Sequence, residues 1–286
     1  MHWQILALLL SAIPNTILAA KPSPGCGTTP KLVTPDASKT PLNITVNGTS
    51  RAYYVKLPDT YDNKHPYRLI FTLHALGGTA QQVTLGTGGY LPWYGLPSLV
   101  NDTIGAIYVA PDGISNGWAN TDGRDVTFIS ALIKTLNDDL CIDETLRFST
   151  GFSFGSGMSY ALACALGKDF RAISALSGNP QISGCAGGND PVAFYGQHGL
   201  SDQVLPIEGG REMRDRFLKN NNCTAKTAVE PAVGSGTHVK TVYECAAGYP
   251  VVWVAFDGGH TPQPKDRGVN VTFAHTETWE FFKQFK

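Results

Sequence analysis

The chain lacks an excess of either charge, since its 286 residues include 22 lysines and arginines against 23 aspartates and glutamates. This balance gives no electrostatic reason to expect nucleic acid or an anionic membrane as a partner. After the first twenty residues the sequence also lacks an apolar run of about 20 residues, the length that a membrane-spanning helix needs. The cysteines form no Cys-x-x-Cys pair and lie near no histidine cluster, which argues against a zinc site.

The N-terminus differs from the rest of the chain. An uncharged apolar run from Ile5 to Ile13 precedes the small residues Ala19 and Ala20. The run is too short to cross a bilayer, and the small residues follow it where a signal peptidase cuts. We therefore predict that residues 1–20 are a signal peptide and that residues 21–286 form one exported catalytic domain.

The cysteine content and the glycosylation sequons agree with export. All six cysteines follow the predicted signal peptide and can pair as three disulfides, in any of fifteen arrangements. Five asparagines are each followed two places on by threonine, the pattern of an N-glycosylation acceptor. The cysteines are Cys26, Cys141, Cys164, Cys185, Cys223 and Cys245, and the asparagines are Asn43, Asn47, Asn101, Asn222 and Asn270.

Apolar runs of strand length alternate with segments of helical character. The predicted strands are residues 69–73, 106–110, 148–151, 172–176, 193–195 and 251–256, and the predicted helices are residues 125–140, 157–166, 207–218 and 273–285. A hairpin precedes them, because Asn47-Gly48 is a turn-forming pair between two further strand-like runs. The alternation predicts an α/β fold with a mostly parallel central sheet and helices on both faces.

The most informative motif is Gly151-Phe152-Ser153-Phe154-Gly155, which lies between a predicted strand and a predicted helix. A sharp strand-to-helix turn of this kind holds a serine in a strained conformation with its hydroxyl exposed. The glycines on either side let the chain cross itself closely. The motif in this context predicts that Ser153 is the nucleophile of an α/β-hydrolase fold.

A serine hydroxyl needs a general base to become a nucleophile at neutral pH. His260 lies on a glycine-rich loop after the last predicted strand, from which it can reach the carboxyl edge of the sheet. His275 begins the final predicted helix, so we expect a surface or cap residue there. His238 lies between polar residues, so we expect it to be exposed. We predict that His260 is the base.

Three aspartates are candidates for the acid that orients this base. Asp202 lies in a loop just after a predicted strand, and it completes the chain order serine, aspartate, histidine of α/β hydrolases. Asp257 is three residues from the histidine on a tight loop, and Asp190 lies in a glycine-rich loop before the strand. We predict that Asp202 is the acid and that His198 supports its loop.

A strand that runs into His74 and a turn of small residues is typical of an oxyanion loop. Backbone N–H groups there stabilise the negative charge that develops on the carbonyl oxygen of an ester. We predict that the N–H groups of Leu76 and Phe154 form the oxyanion hole.

Six motifs, in the same order along the chain, make the sequence similar to the type C feruloyl esterases of fungi. They are residues 73–79, 116–120, 139–143, 151–158, 198–202 and 257–260. The wider family includes polyhydroxybutyrate depolymerases and acetyl xylan esterases. Its usual His-Gly is His74-Ala75 here, and its common Ser-x-Gly-Gly ends in Ser156 here. Both departures leave the predicted triad intact.

The resemblance implies a serine esterase that hydrolyses feruloyl esters on the arabinose of arabinoxylan or the galactose of pectin, without a metal or an organic cofactor. A polyester depolymerase or acetyl xylan esterase with the same triad is the alternative among enzymes. The alternative outside enzymes is an inactive carbohydrate-binding protein with the hydrolase fold.

Aromatic rings stack well on a planar cinnamoyl group. Tyr90, Trp93, Tyr94, Phe152 and Phe154 lie near the predicted site, and we predict that Trp118 contacts the substrate. We also expect a monomer.

Overall fold

The computed structural model describes residues 19–185 and 187–286, so the predicted signal peptide lies outside the described residues apart from its last two. The described residues contain nine strands, which all belong to one sheet. They are β1 (Leu42–Val46), β2 (Thr49–Lys56), β3 (Tyr67–Leu73), β4 (Ala106–Pro111), β5 (Ile142–Phe152), β6 (Ala172–Leu176), β7 (Ala193–Gly199), β8 (His238–Tyr243) and β9 (Val251–Phe256). The order across the sheet is β1-β2-β4-β3-β5-β6-β7-β9-β8.

The central six strands, from β4 to β9, run parallel to one another. Antiparallel β1 and β2 border them on one side, and antiparallel β8 on the other. The carboxyl ends of β5, β7 and β9 therefore meet at one edge, and each of the three predicted triad residues follows one of these ends. This arrangement confirms the predicted mostly parallel sheet.

Helices cover both faces of the sheet. They are α1 (Ala80–Leu85), α2 (Arg124–Asp139), α3 (Phe154–Ala165), α4 (Pro180–Ser183), α5 (Ile207–Asn220) and α6 (Ala274–Lys283). Helices α1 and α6 pack on one face together with the 3₁₀ segment Pro92–Leu99, whereas α2, α3 and α5 pack on the other. The burial of apolar residues three or four apart along α2 shows why that segment is helical.

The predicted hairpin forms around Asn47 and Gly48, whose φ angles are 50° and 78°. The structure also contains elements that the apolar pattern did not predict. Strand β8 is half exposed at the edge of the sheet, and the six-residue α1 begins at a capping box between Thr79 and Gln82. His238, expected at the surface, is instead partly buried in β8 and stacks on Phe273 with 3.9 Å between ring centroids.

The six cysteines pair as Cys26–Cys141, Cys164–Cys185 and Cys223–Cys245. The first disulfide ties the irregular N-terminal segment to the start of β5. Asp139 reinforces this attachment, because its carboxylate accepts the backbone N–H groups of Lys31 and Val33 at 2.7 and 3.0 Å. Within the described residues, no helix is both long and apolar enough to span a bilayer.

Candidate active site

Ser153 occupies the turn between β5 and α3. Its φ of 56° and ψ of −115° are strained for a residue with a side chain, at a cost of roughly 1–3 kcal/mol. The glycines of the motif explain how the turn fits. A side-chain carbon on Gly151 would lie 2.4 Å from the carbonyl carbon of Gly155, and one on Gly155 would lie 2.2 Å from the carbonyl oxygen of Leu73. Close chain crossings thus fix the position of Ser153 between β5 and the end of β3.

Replacing Gly155 with alanine should destabilise the protein by about 3 kcal/mol and slow turnover at the predicted nucleophile Ser153 by about a hundredfold. The new methyl group would displace α3 from the end of β3 and with it the N–H of Phe154. Gly157→Ala is the matched control in the same helical turn, since its methyl group would lie 3.1 Å from its nearest neighbour. Urea unfolding measures the first effect, and turnover of methyl ferulate, the type of substrate that the sequence resemblance implies, measures the second. Equal behaviour of the two variants would contradict the close chain crossing.

Asp202 and His260 are hydrogen bonded in the structure. Nδ1 of His260 donates to Oδ2 of Asp202 over 2.7 Å, and the backbone N–H groups of Val204 and Leu205 donate to Oδ1 over 2.9 and 2.8 Å. Because Nδ1 carries the proton in this pair, Nε2 is the nitrogen that accepts one. The arrangement places a carboxylate behind an imidazole whose second nitrogen is free to act as a base.

The Asp202 carboxyl is ionised at neutral pH. Burial alone would raise its pKa, but hydrogen bonds from His198, from His260 and from the Leu205 N–H lower that pKa to about 2. Only 4% of the residue is exposed. A fixed negative charge therefore faces His260 and stabilises the imidazolium that forms when the base takes a proton.

Packing at the edge of the sheet brings His260 close to the serine. Its ring lies 4.5 Å from the ring of Phe152, the residue before Ser153. A side-chain carbon on Gly199, at the end of β7, would lie 2.4 Å from the carbonyl oxygen of Gly258, so the histidine loop crosses the end of β7 closely. Among the described residues no hydrogen bond joins Ser153 to His260, and such bonds often tighten only when substrate is bound.

The other two candidates for the acid, Asp257 and Asp190, have neighbours other than His260. Oδ2 of Asp257 accepts the backbone N–H of Gly236 over 2.6 Å, which directs that carboxylate toward a different loop. Asp190 lies beside Gly167. Of the three aspartates, Asp202 is the one that contacts His260.

The hydrogen bonds of the oxyanion loop single out one N–H group. That of Ala75 donates to the Tyr90 hydroxyl at 2.7 Å, that of Gly77 to a backbone carbonyl at 2.8 Å, and that of Gly78 to the Ala75 carbonyl at 3.0 Å. Within the described chain, the N–H of Leu76 has no such acceptor. It is therefore the loop donor available to a developing oxyanion.

The second predicted donor is Phe154, the first residue of α3. An N–H in the first helical turn has no acceptor within its own helix, so it can bind an external anion. A side-chain carbon on Gly117 would lie 2.7 Å from the Phe154 ring and 3.2 Å from the Leu76 side chain. The two predicted donor residues therefore meet around the same glycine.

The structure corrects the prediction for Trp118, which has no exposed surface and so no face to offer a substrate. Its ring lies 4.9 Å from that of His74, and its indole N–H donates to the His74 carbonyl oxygen at 2.9 Å. Trp118 was predicted to contact the substrate, but the loop that carries it folds over the ring. Trp118 therefore supports the predicted oxyanion loop through its buried contacts with His74.

Tyr94 was predicted only as one of several aromatic residues near the site. Its buried hydroxyl donates to the carbonyl oxygen of Leu73 at 2.7 Å and accepts the N–H of Phe152 at 2.9 Å. It thus joins the strand that leads into the oxyanion loop to the strand that carries the serine. The sequence contained no signal for this bridge, because the three residues are far apart along the chain.

A cleft of about 830 Å³ begins next to the histidine loop and runs along the α6 side of the molecule. Gln263, three residues after His260, lines this cleft together with Trp93 and His275. Trp93 is therefore the member of the predicted aromatic group that reaches the cleft. The described residues contain no group of three or more side chains suited to hold a metal ion.

A strained serine at a strand-to-helix turn, close to a histidine–aspartate pair at the carboxyl edge of a mostly parallel sheet, is typical of α/β-hydrolase-fold esterases. The chain is 50% identical to feruloyl esterase D of Neurospora crassa over 286 residues, which cover 98% of this chain and 96% of that protein. It is 47% identical to feruloyl esterase C of Emericella nidulans over 260 residues, or 91% and 90% of the two chains. The chain therefore belongs to the fungal feruloyl esterase family and is a carboxylic ester hydrolase. No protein-family model matches it.

Solved structures of low sequence identity share the fold. An acetyl xylan esterase from Aspergillus awamori superposes with a TM-score of 0.57 at 15% identity, over 85% of this chain and 99% of that one. A ferulic acid esterase gives a TM-score of 0.53 at 15% identity, over 86% and 98% of the chains. These similarities confirm the predicted α/β-hydrolase fold.

Proposed function

We propose that this protein releases ferulate from feruloyl esters of plant cell-wall sugars, such as arabinose in arabinoxylan and galactose in pectin, by a serine acyl-enzyme mechanism. The observation that carries the mechanism is the hydrogen-bonded pair of Asp202 and His260 at the same sheet edge as the strained turn of Ser153. The feruloyl specificity rests on the names of relatives that are about half identical over nearly the whole chain.

In the first step the Ser153 hydroxyl attacks the ester carbonyl while Nε2 of His260 takes its proton. The N–H groups of Leu76 and Phe154 stabilise the oxyanion of the tetrahedral intermediate. The intermediate collapses as His260 protonates the departing sugar oxygen, which leaves a feruloyl ester on the serine. Water then attacks this ester by the same route and frees ferulate, while Asp202 keeps the imidazole oriented.

The proposal includes export of one glycosylated catalytic domain that acts as a monomer. It is supported by the three disulfides, which persist in oxidising compartments. The five sequon asparagines are all exposed, as an attached glycan requires.

Fluorophosphonate labelling tests the nucleophile, and a substrate panel tests the specificity. The probe should modify Ser153, and peptide mass spectrometry should find the added mass on the peptide that contains it. The rate constant kcat/KM should be higher for methyl ferulate than for p-nitrophenyl acetate or a hydroxybutyrate oligomer. A reversed order would point to the acetyl esterase or polyester depolymerase alternative, and failure to label would support an inactive carbohydrate-binding protein.

A further inference from the structure

A second histidine contacts the acid of the proposed triad. His198, near the end of β7, is fully buried, and its Nε2 lies 2.8 Å from the carbonyl oxygen of Leu205 and 3.3 Å from Oδ2 of Asp202. His260 binds that same carboxylate oxygen. Two imidazoles therefore converge on Asp202, one at the proposed reaction centre and one in the core.

The contacts of His198 show which of its two ring nitrogens donates a hydrogen bond. A carbonyl oxygen only accepts hydrogen bonds, so Nε2 must carry the proton that it donates to Leu205, and this N–H lies 3.3 Å from Asp202. Nδ1 is buried and has no hydrogen-bond partner among the described residues. The hydrogen bond that this ring makes is therefore the one donated from Nε2.

Helix α5 is shaped around this ring. A side-chain carbon on Gly210 would lie 2.5 Å from Nδ1 of His198 and 2.8 Å from the ring of Trp253. Glycine inside a helix costs about 1 kcal/mol relative to alanine. The space that Gly210 leaves for the imidazole explains this glycine. Helix α5 therefore packs directly against the ring on the side opposite Asp202.

We propose that His198 is a positioning residue for the esterase reaction: its buried imidazole donates from Nε2 to the Leu205 carbonyl and lies 3.3 Å from the Asp202 carboxylate, which keeps Asp202 aimed at His260. This inference rests on the proposed function. It assigns His198 a role in turnover in addition to the support of a loop. The histidine touches no substrate, and its effect passes entirely through Asp202.

Two substitutions separate this role from simple packing. His198→Leu removes the donor, and we expect kcat on methyl ferulate to fall about ten- to a hundredfold, as on loss of other supporting hydrogen bonds, with KM nearly unchanged. His198→Gln places an amide N–H near the position of Nε2 and should restore most of kcat. A leucine variant with wild-type kcat, or a glutamine variant no better than leucine, would overturn the proposal.

A double-mutant cycle tests whether the effect passes through Asp202. In an Asp202→Asn background, His198→Leu should change kcat by no more than about twofold, the usual error of additivity. An undiminished loss in that background would show that His198 acts elsewhere. Failure of the proposed function itself would appear differently, as turnover that survives Ser153→Ala whatever residue occupies position 198.

A helix variant provides the same test if His198→Leu does not fold. Gly210→Ala pushes a methyl group into the His198 ring and should lower kcat in the same way. Gly209→Ala is its matched control, because its methyl group would meet the side chain of Asn179 at 2.9 Å instead. Equal kcat values in the two alanine variants would count against the proposal, and a loss confined to Gly210→Ala would support it.

Discussion

Replacing Ser153 with alanine should reduce kcat on methyl ferulate by about a millionfold, because the proposed acyl-enzyme forms on its hydroxyl. The residual rate above that of water would come from the oxyanion donors and from binding. Release of ferulate, followed by absorbance over long incubations at high enzyme concentration, measures this residual rate. The variant should also lose all fluorophosphonate labelling.

Ser156→Ala is the matched control for this substitution. Ser156 lies one turn along α3, is fully buried, and has a hydroxyl without a hydrogen-bond partner among the described residues. Its loss should leave turnover close to wild type. If Ser153→Ala stayed nearly as active as this control, another residue would have to be the nucleophile and the assignment of the site would be wrong.

Asp202→Asn should reduce kcat by about ten thousandfold while the protein stays folded. The asparagine amide can donate to the ring nitrogen where the carboxylate accepted, which favours the tautomer with the proton on Nε2. That tautomer presents a proton to Ser153 rather than a lone pair, so the general base is lost. Initial rates on methyl ferulate, with circular dichroism to verify the fold, give the comparison.

Asp257→Asn controls for the removal of a nearby negative charge. Asp257 is three residues from His260, and the N–H of Gly236 lowers the pKa of its carboxyl, yet it does not contact the histidine. We expect turnover within about twofold of wild type, as for a surface change away from the site. A larger loss on Asp257→Asn than on Asp202→Asn would reverse the assignment of the acid.

The sequence predicted those parts of the fold whose signal lies in a single segment. The central strands are continuous apolar runs because both of their faces are buried, and β9 was found for this reason. Strand β8 was missed because one of its faces is exposed, so Lys240 and Thr241 interrupt the apolar residues and no continuous apolar run forms. The disulfide pairing depends on distances between remote segments, which the order of the cysteines does not contain.

In the site, too, the sequence predicted features that lie in one stretch of the chain and missed contacts that form only on folding. The predicted turn of Ser153 lies in a single stretch of sequence, and the structure places the predicted Asp202 and His260 in contact. Trp118 was predicted wrongly because a polar neighbourhood does not reveal which way a ring points once the loop closes over it. The bridge formed by Tyr94 exists only after distant strands have been assembled, so no local pattern could predict it. The contact of His198 with Asp202 joins residues only four apart, and for this pair the sequence predicted the support of the loop without the contact itself.

The disulfide between Cys26 and Cys141 closes a covalent ring over the first half of the chain and leaves the second half outside that ring. The ring that it closes contains β3 and the oxyanion loop, whereas Ser153, Asp202 and His260 all lie beyond it. The proposed active site therefore forms where the second half of the chain packs against the cross-linked first half. Closing so large a ring restricts the unfolded chain by roughly 4–5 kcal/mol in the chain-entropy account. During synthesis the half that carries the proposed Leu76 donor can thus be cross-linked before Ser153, Phe154 and the rest of the proposed site have been made.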